Sequence, residues 1–273
     1  MEENFKMVAK TFYGFEQILA KELRLLGAQD VKAGNRMVSF VGDLGFMYKA
    51  NLCLRTALKI LKPIHAAEVE DEEALYQLFY NFNWGDYLDL DSKFVIDSVV
   101  NGTIFKHSQF VSQKAKDGLV DQFRDRHNER PSVDLNRPDL RINLHIQEDF
   151  CTISLDSSGA SLHHRGYRTA TNIAPLNEVL AAGLIQLSGW KGNSDFLDPM
   201  CGSGTLVIEA AMFACNIPAN INRKVFAFER WTDWDADLFE KIQESQLKKV
   251  KNPLIQINGS DKAPSAIEKA LIN

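Results

Sequence analysis

The stretch Asp198-Pro199-Met200-Cys201-Gly202-Ser203-Gly204-Thr205 constrains this chain more than any other. It follows an apolar run ending in Phe196-Leu197 and opens into Leu206-Val207-Ile208-Glu209-Ala210-Ala211-Met212, a pattern that predicts a strand, a tight turn and a helix. Glycines at 202 and 204 let the backbone reverse sharply and leave space where a Cβ would meet a ligand. The helix that follows turns unpaired amide N–H groups and the positive end of its dipole toward the turn.

Two departures separate this turn from a dinucleotide-binding loop, which carries G-x-G-x-x-G and an acidic residue about 20 positions further on. The third glycine is missing, and a carboxylate, Asp198, stands at the strand end itself. That carboxylate would repel a pyrophosphate and would suit an ammonium or sulfonium. S-adenosyl-L-methionine therefore fits the pattern better than NAD. The alternative is an ordinary turn between strand and helix.

The same residues resemble motif I of the amino-methylating class I methyltransferases, whose turn reads Asp-Pro-x-Cys-Gly-Ser-Gly-Thr. The resemblance implies that Asp198, Pro199, Cys201, Gly202, Ser203, Gly204 and Thr205 contact the cofactor. A class I methyltransferase also holds the cofactor ribose with an acid at the end of its second strand. The run Leu254-Ile255-Gln256-Ile257-Asn258-Gly259-Ser260-Asp261 ends in such an acid, and Pro264 starts a helix after it. Asp261 is the candidate ribose ligand, with a plain helix N-terminal acid as the other reading.

The chain of 273 residues carries a net charge of −5, but the acidity is local. Residues 66–100 account for −8 and the remainder for +3, which leaves a basic face possible elsewhere. Cys53, Cys151, Cys201 and Cys215 lie far apart and form no Cys-x-x-Cys pair, so they read as reduced cytosolic thiols and not as a zinc site. The sequence has no apolar leader and no apolar run of membrane-spanning length, and a cytoplasmic location follows as the expectation.

Along the chain, Phe15, Ile18, Leu19, Leu23 and Leu26 predict a helix closed by Gly27, between β-like runs at 6–9 and 37–41. A helix is expected over 72–82 with Asp71 as its cap, a strand over 94–100 and a long helix over 108–127. Two alternating runs, Leu140 to Ile146 and Cys151 to Leu155, predict a hairpin with one buried face. A linker-like stretch at 156–159 then leads to a helix with Pro175 in its first turn. Phe226, Phe228, Trp231 and Trp234 populate a long segment before Asp261, where core packing and base stacking are both open to them.

The mixed charges of 101–130 read by default as a solvated helix face. However, Phe105-Lys106-His107-Ser108 opening a helix, Arg130-Pro131-Ser132-Val133-Asp134-Leu135 after it, and the hairpin from Asp139 to Ile146 together resemble a THUMP domain. The whole chain is similar to the THUMP-containing RNA guanine-N2 methyltransferases, a group often labelled as putative N6-adenine-specific DNA methylases. Arg165-Gly166-Tyr167-Arg168 and Ala174-Pro175-Leu176-Asn177-Glu178 add to that likeness.

The resemblance implies an α+β ferredoxin-like segment over 1–65, a THUMP RNA-binding domain over 66–158, and an incomplete α/β Rossmann-like methyltransferase domain over 159–273. It also implies RNA contacts from Lys106, His107, Lys114, Arg165 and Arg168. The expected activity is methyl transfer from S-adenosyl-L-methionine to an exocyclic amine of ribosomal RNA, at guanine N2. No metal is expected, and no oligomeric state is indicated. The family's Asn-Pro-Pro-Tyr type motif does not occur here, so the chain reads as cut within the methyltransferase domain, with negligible methyl transfer by these residues alone. A DNA adenine N6-methyltransferase and a non-catalytic RNA-binding module are the rival readings.

Overall fold

Short strands and helices follow each other through the first fifty residues. Strand β1 (Phe5–Lys10) runs antiparallel to β3 (Met37–Gly42), and β2 (Gln29–Gly34) pairs on the far side of β3. Helix α1 (Glu16–Leu26) buries Leu19, Ala20 and Leu23. It ends where Gly27, at φ 104°, donates its N–H to the carbonyls of Leu23 and Arg24. Helix α2 (Leu44–Cys53) starts at Asp43, whose carboxylate accepts the Phe46 N–H at 2.7 Å. The computed structural model describes residues 3–170 and 174–273.

The chain divides into two compact units. One comprises Met1–Ile60, Ala160–Phe226 and Asp235–Asn273, and the other Leu61–Gly159 and Ala227–Trp234. The ferredoxin-like segment lies in the same compact unit as residues 160–226.

The second unit is a sheet in the order β4-β8-β7-β5-β6, with two helices. Its elements are β4 (Lys59–Glu68, entering the unit at Leu61), α3 (Glu72–Asn81), β5 (Lys93–Asn101), α4 (Ser108–His127), β6 (Ser132–Val133), β7 (Leu140–Gln147) and β8 (Phe150–Asp156). Asp71 caps α3 by accepting the Ala74 N–H at 2.7 Å. Strand β5 is parallel to β7, while β7 and β8 form the expected antiparallel hairpin with Leu140, Ile142, Leu144 and Ile146 buried.

The linker-like stretch is no linker. Asp156, Ser157 and Ser158 are fully buried, and Asp156 Oδ1 accepts the N–H groups of Ser158 and Gly159 at 3.0 Å. Small polar residues make a sealed turn here because the carboxylate satisfies the backbone that burial would otherwise orphan. Phe228 and Trp231 are buried in this same unit, and Phe226 is buried against Phe239 in the other. Core packing thus accounts for Phe226, Phe228 and Trp231, while Trp234 is half-buried beside Phe228.

In the first unit, α5 (Glu178–Leu187) begins later than expected. Asn177 is its cap, accepting from Val179 and Leu180, and Pro175 lies outside the helix. Then come β9 (Phe196–Asp198), α6 (Thr205–Ala214), α7 (Ala236–Leu247), β10 (Ile257–Gly259) and α8 (Pro264–Ile272). Strand β10 is shorter than the apolar run that announced it, since only the three residues in register with β9 are paired.

Helices α1 and α5 meet closely at Gly183, where an added Cβ would lie 2.0 Å from the Phe15 ring. Phe15 is itself buried. Gly183→Ala should therefore lower stability by about 1–3 kcal/mol through overpacking, despite alanine's better helix propensity. Urea denaturation would read this as a lower midpoint, and Phe15→Leu in the same chain should restore part of the loss.

Candidate cofactor turn

Strands β9 and β10 are parallel and level, with Phe196 opposite Ile257, Leu197 opposite Asn258 and Asp198 opposite Gly259. Their carboxyl ends thus bring Asp198 and Asp261 to one edge. Beyond the strands the two chains remain tied: Ser260 N–H donates to the Asp198 carbonyl and Cys201 N–H to the Ser260 carbonyl, both at 2.9 Å. Asp198 Oδ1 accepts the Met200 N–H at 3.0 Å and so starts the turn.

Asp261 closes the same turn from the other strand. Its Oδ2 accepts the Gly202 N–H at 2.9 Å and its Oδ1 the Ala263 N–H at 2.9 Å. These bonds, that to Ala263 foremost, hold the Asp261 carboxyl below its ordinary range. Each oxygen keeps a free lone pair for a hydroxyl donor. Glycine is needed at two positions around it. Gly204 caps α6 at φ 85°, and a Cβ on Gly259 would lie 2.8 Å from Val207 and 3.0 Å from Cys201. The Cys201 thiol is pushed up by burial and by the charges of Asp198 and Asp261, so it is a protonated wall of the turn and not a nucleophile.

Arg168 fastens the turn from below. Its Nε donates to Glu178 Oε1 at 2.7 Å, Nη1 to Ser203 Oγ at 3.3 Å, and Nη2 to Thr205 Oγ1 at 2.8 Å and the Leu176 carbonyl at 3.1 Å. Ser203 and Thr205 are both buried. Their hydroxyls belong to this clamp, whereas backbone and the two aspartates line the turn. Arg168, expected at RNA, has its fork committed to protein acceptors.

Arg165 is withdrawn further, at 1% exposure. Its guanidinium donates to Glu209 Oε1 at 3.3 Å, to the Leu162 carbonyl at 2.9 Å, to Asn220 Oδ1 at 3.3 Å and to the Arg55 carbonyl. Tyr167 Oη donates to Glu209 Oε1 at 3.2 Å. The side chain expected to meet RNA is thus an internal counter-ion, because Glu209 is buried on α6 and requires one. Burial raises the Glu209 carboxyl, outweighing the pull of Arg165 and Arg55. Arg55 joins the cluster by donating Nη2 to the carbonyls of Met212 and Ile217 at 3.1 and 2.6 Å. Sequence reasoning passed over Glu209 and Arg55, yet both are lone charges in apolar runs, and that is the available signal.

The remaining RNA candidates lie in the second unit. Lys106 and His107 are exposed at the start of α4 and line a groove of about 930 Å³ with Thr103, Phe105 and Gln109. The His107 side chain makes no cap bond to the first amides of α4. Lys114 is turned to α3 instead, 3.6 Å from Glu73 and 5.0 Å above the Tyr76 ring. Among the described residues no His, Cys, Asp and Glu group could hold a metal ion, and no helix is long and apolar enough to cross a membrane.

Residues 165–273 match the family description "RMKL-like, methyltransferase domain", residues 69–156 "THUMP domain" and residues 6–61 "RlmL ferredoxin-like domain". The ribosomal RNA large subunit methyltransferase K/L of Magnetococcus marinus is 39% identical over 266 residues, covering 94% of this chain and 37% of the relative. The putative RNA methyltransferase slr0064 of Synechocystis sp. is 36% identical over 261 residues, covering 95% of this chain and 68% of the relative. The crystal structure of SMU.472, a putative methyltransferase complexed with S-adenosylhomocysteine (SAH), superposes with a TM-score of 0.87 at 31% identity. It covers 100% of this chain and 72% of that one. This chain therefore spans just over a third of the length of the first of these relatives. The methyltransferase-domain match continues through residue 273. Neither truncation within that domain nor inactivity of these residues finds support in it.

The buried cluster has a measurable consequence. Arg165→Ala would leave Glu209 without its principal counter-ion and should cost about 3–5 kcal/mol of stability. Arg168→Ala removes a clamp whose side chain is 15% exposed, against 0% for Arg165, and should cost less, so the order of the two urea midpoints checks the assignment.

Proposed function

We propose, for a chain that belongs to the family of THUMP-domain-containing class I RNA methyltransferases, that it binds S-adenosyl-L-methionine in the turn from Asp198 to Thr205. We propose further that it serves methyl transfer to an exocyclic base amine of ribosomal RNA, guanine N2, in the cytoplasm. The observation that carries this reading is the joining of the two strand ends through Asp261 and the Gly202 amide. That contact brings two carboxylates and a glycine-spaced backbone together at one end of the paired strands, which suits a ligand with hydroxyls and a cationic centre.

Each residue has a role in keeping with its partners. Asp261, charged and held by two amides, accepts the ribose hydroxyls of the cofactor. Asp198 sets a negative charge at the strand end, opposite in sign to an ammonium or sulfonium. Gly202 and Gly204 keep the backbone open to close approach. Cys201 supplies a neutral wall. The cofactor, when bound, supplies an electrophilic methyl group, and the protein's part is to position the acceptor amine for in-line displacement. RNA is supported over duplex DNA by the THUMP match and by the exposed Lys106–His107 pair at the start of α4.

Calorimetric titration with SAH tests the reading. We expect binding by the parent chain and at least about a tenfold loss in Asp261→Ala, in line with the removal of charge-assisted hydrogen bonds. Asp198→Ala should weaken binding as well. An absence of binding by the parent, with RNA affinity retained, would favour an RNA-binding module. Because the folded-state pKa of Asp261 is depressed, its contribution is present above the ordinary carboxylate range and is lost only as pH falls below it. SAH affinity carried by Asp261 should thus stay level from pH 8 to about 5.

A further inference from the structure

A cavity of about 310 Å³ in the first unit is lined from α1, α2, α5, α6 and α7, and none of its lining residues belongs to the cofactor turn. Three cations reach it, Lys49, Arg55 and Lys249, against a single carboxylate, Glu22. Glu22 is already committed. Its Oε1 accepts the Arg55 N–H at 3.3 Å and Gln186 Nε2 at 2.9 Å, and its Oε2 accepts the Thr56 N–H at 3.0 Å and hydroxyl at 2.6 Å. Glu209, the other carboxylate acting on Arg55, is engaged through Oε1 by Arg165 and Tyr167, while its buried Oε2 has no hydrogen-bond partner among the described residues.

The cations meanwhile have only neutral acceptors. Lys49 Nζ donates to the Leu26 carbonyl at 2.6 Å and Lys249 Nζ to Gln246 Oε1 at 3.3 Å. Burial, and then the charge of Lys249, depress the Lys49 ammonium. Arg55 is 8% exposed, and its Nη1 has no hydrogen-bond partner among the described residues. A buried guanidinium nitrogen without an acceptor is unusual. Like charges gathered at one cavity, with a donor to spare, are what an anion site looks like before its ligand arrives. Leu25, Phe213 and Pro218 give the wall an apolar part beside the charges, and Gln186, Asn216 and Gln246 give it amide groups.

We propose that this cavity binds a phosphate monoester of nucleoside size, its phosphate dianion at Lys49, Arg55 and Lys249 and its ring against the Leu25–Phe213–Pro218 wall. The phosphate arrives on a free nucleotide or on the 5′ end of an RNA. The site is separate from the cofactor turn and does not depend on the assignment of that turn.

The test is calorimetry of the full chain in phosphate-free buffer at fixed ionic strength. The probes are uridine 5′-monophosphate, uridine, and a short RNA with a 5′-phosphate or a 5′-hydroxyl. The phosphorylated probe should bind at least about tenfold more tightly than its partner without phosphate. Binding of the phosphorylated RNA alone would identify a chain end as the source, and binding of the mononucleotide as well would identify a free nucleotide. The double variant Lys49→Ala, Lys249→Ala should lose at least tenfold in affinity for the phosphorylated probe while its SAH titration stays unchanged. Ligand-free, this variant should melt no lower than the parent, since two mutually repelling charges are gone. It should also lose the rise in melting temperature that the phosphorylated probe gives the parent. Equal affinity for uridine and its monophosphate, no binding of either phosphorylated probe, or unchanged affinity in the double variant would overturn the proposal.

Discussion

Glu209 is a carboxylate sealed inside the first unit, and the arrangement around it sets much of what lies nearby. A buried charge is costly without a counter-ion. Arg165 supplies one and, with Tyr167, donates to Glu209 Oε1, while Oε2 has no partner among the described residues; Arg165 in turn is held by carbonyls of Leu162 and Arg55. Residues far apart in sequence thus converge because one carboxylate on α6 requires them. Glu209 stands one turn into the helix whose first amides face the cofactor turn. The same pairing that neutralises the charge therefore fixes how α6 is rolled about its axis, and with it which way the turn opens. Arg168 completes the support on the other side by binding Glu178, Ser203 and Thr205.

The first unit carries opposite charge at its two candidate sites. The cofactor turn is ringed by carboxylates whose hydrogen bonds come from backbone amides. The cavity at Lys49 has cations whose partners are neutral oxygens. A net charge of −5 conceals both. Local imbalance, not the total, decides what each surface attracts.

Much of the fold was legible because its elements repeat at one period. Helix α4 and the β7–β8 hairpin follow from the spacing of Val111, Ala115, Leu119 and Phe123 and of Leu140, Ile142, Leu144 and Ile146. Helix α2 escaped because Met47, Tyr48, Ala50, Asn51 and Leu52 are buried on several sides, leaving no stripe to detect. Strand β2 escaped for the opposite reason, being largely exposed and without alternation. At the site, the turn and Asp261 could be read because glycine and carboxylate positions relative to strand ends are chemically specific. Arg165 and Arg168 could not, since an arginine bound inward to a buried glutamate and one facing RNA are written with the same letter. Only the partner, Glu209 for Arg165 and Glu178 for Arg168, distinguishes them.

Cys201 adds a property that follows from its neighbours. A thiol reacts with peroxide or disulfide only through its thiolate, and two aspartates with burial keep this one in the thiol form. Burial likewise raises Cys53 to about 11 and Cys151 to about 12. On the function proposed above, a turn that takes a reactive alkyl donor would carry a neutral thiol in Cys201, poor as a nucleophile and slow to be oxidised or alkylated.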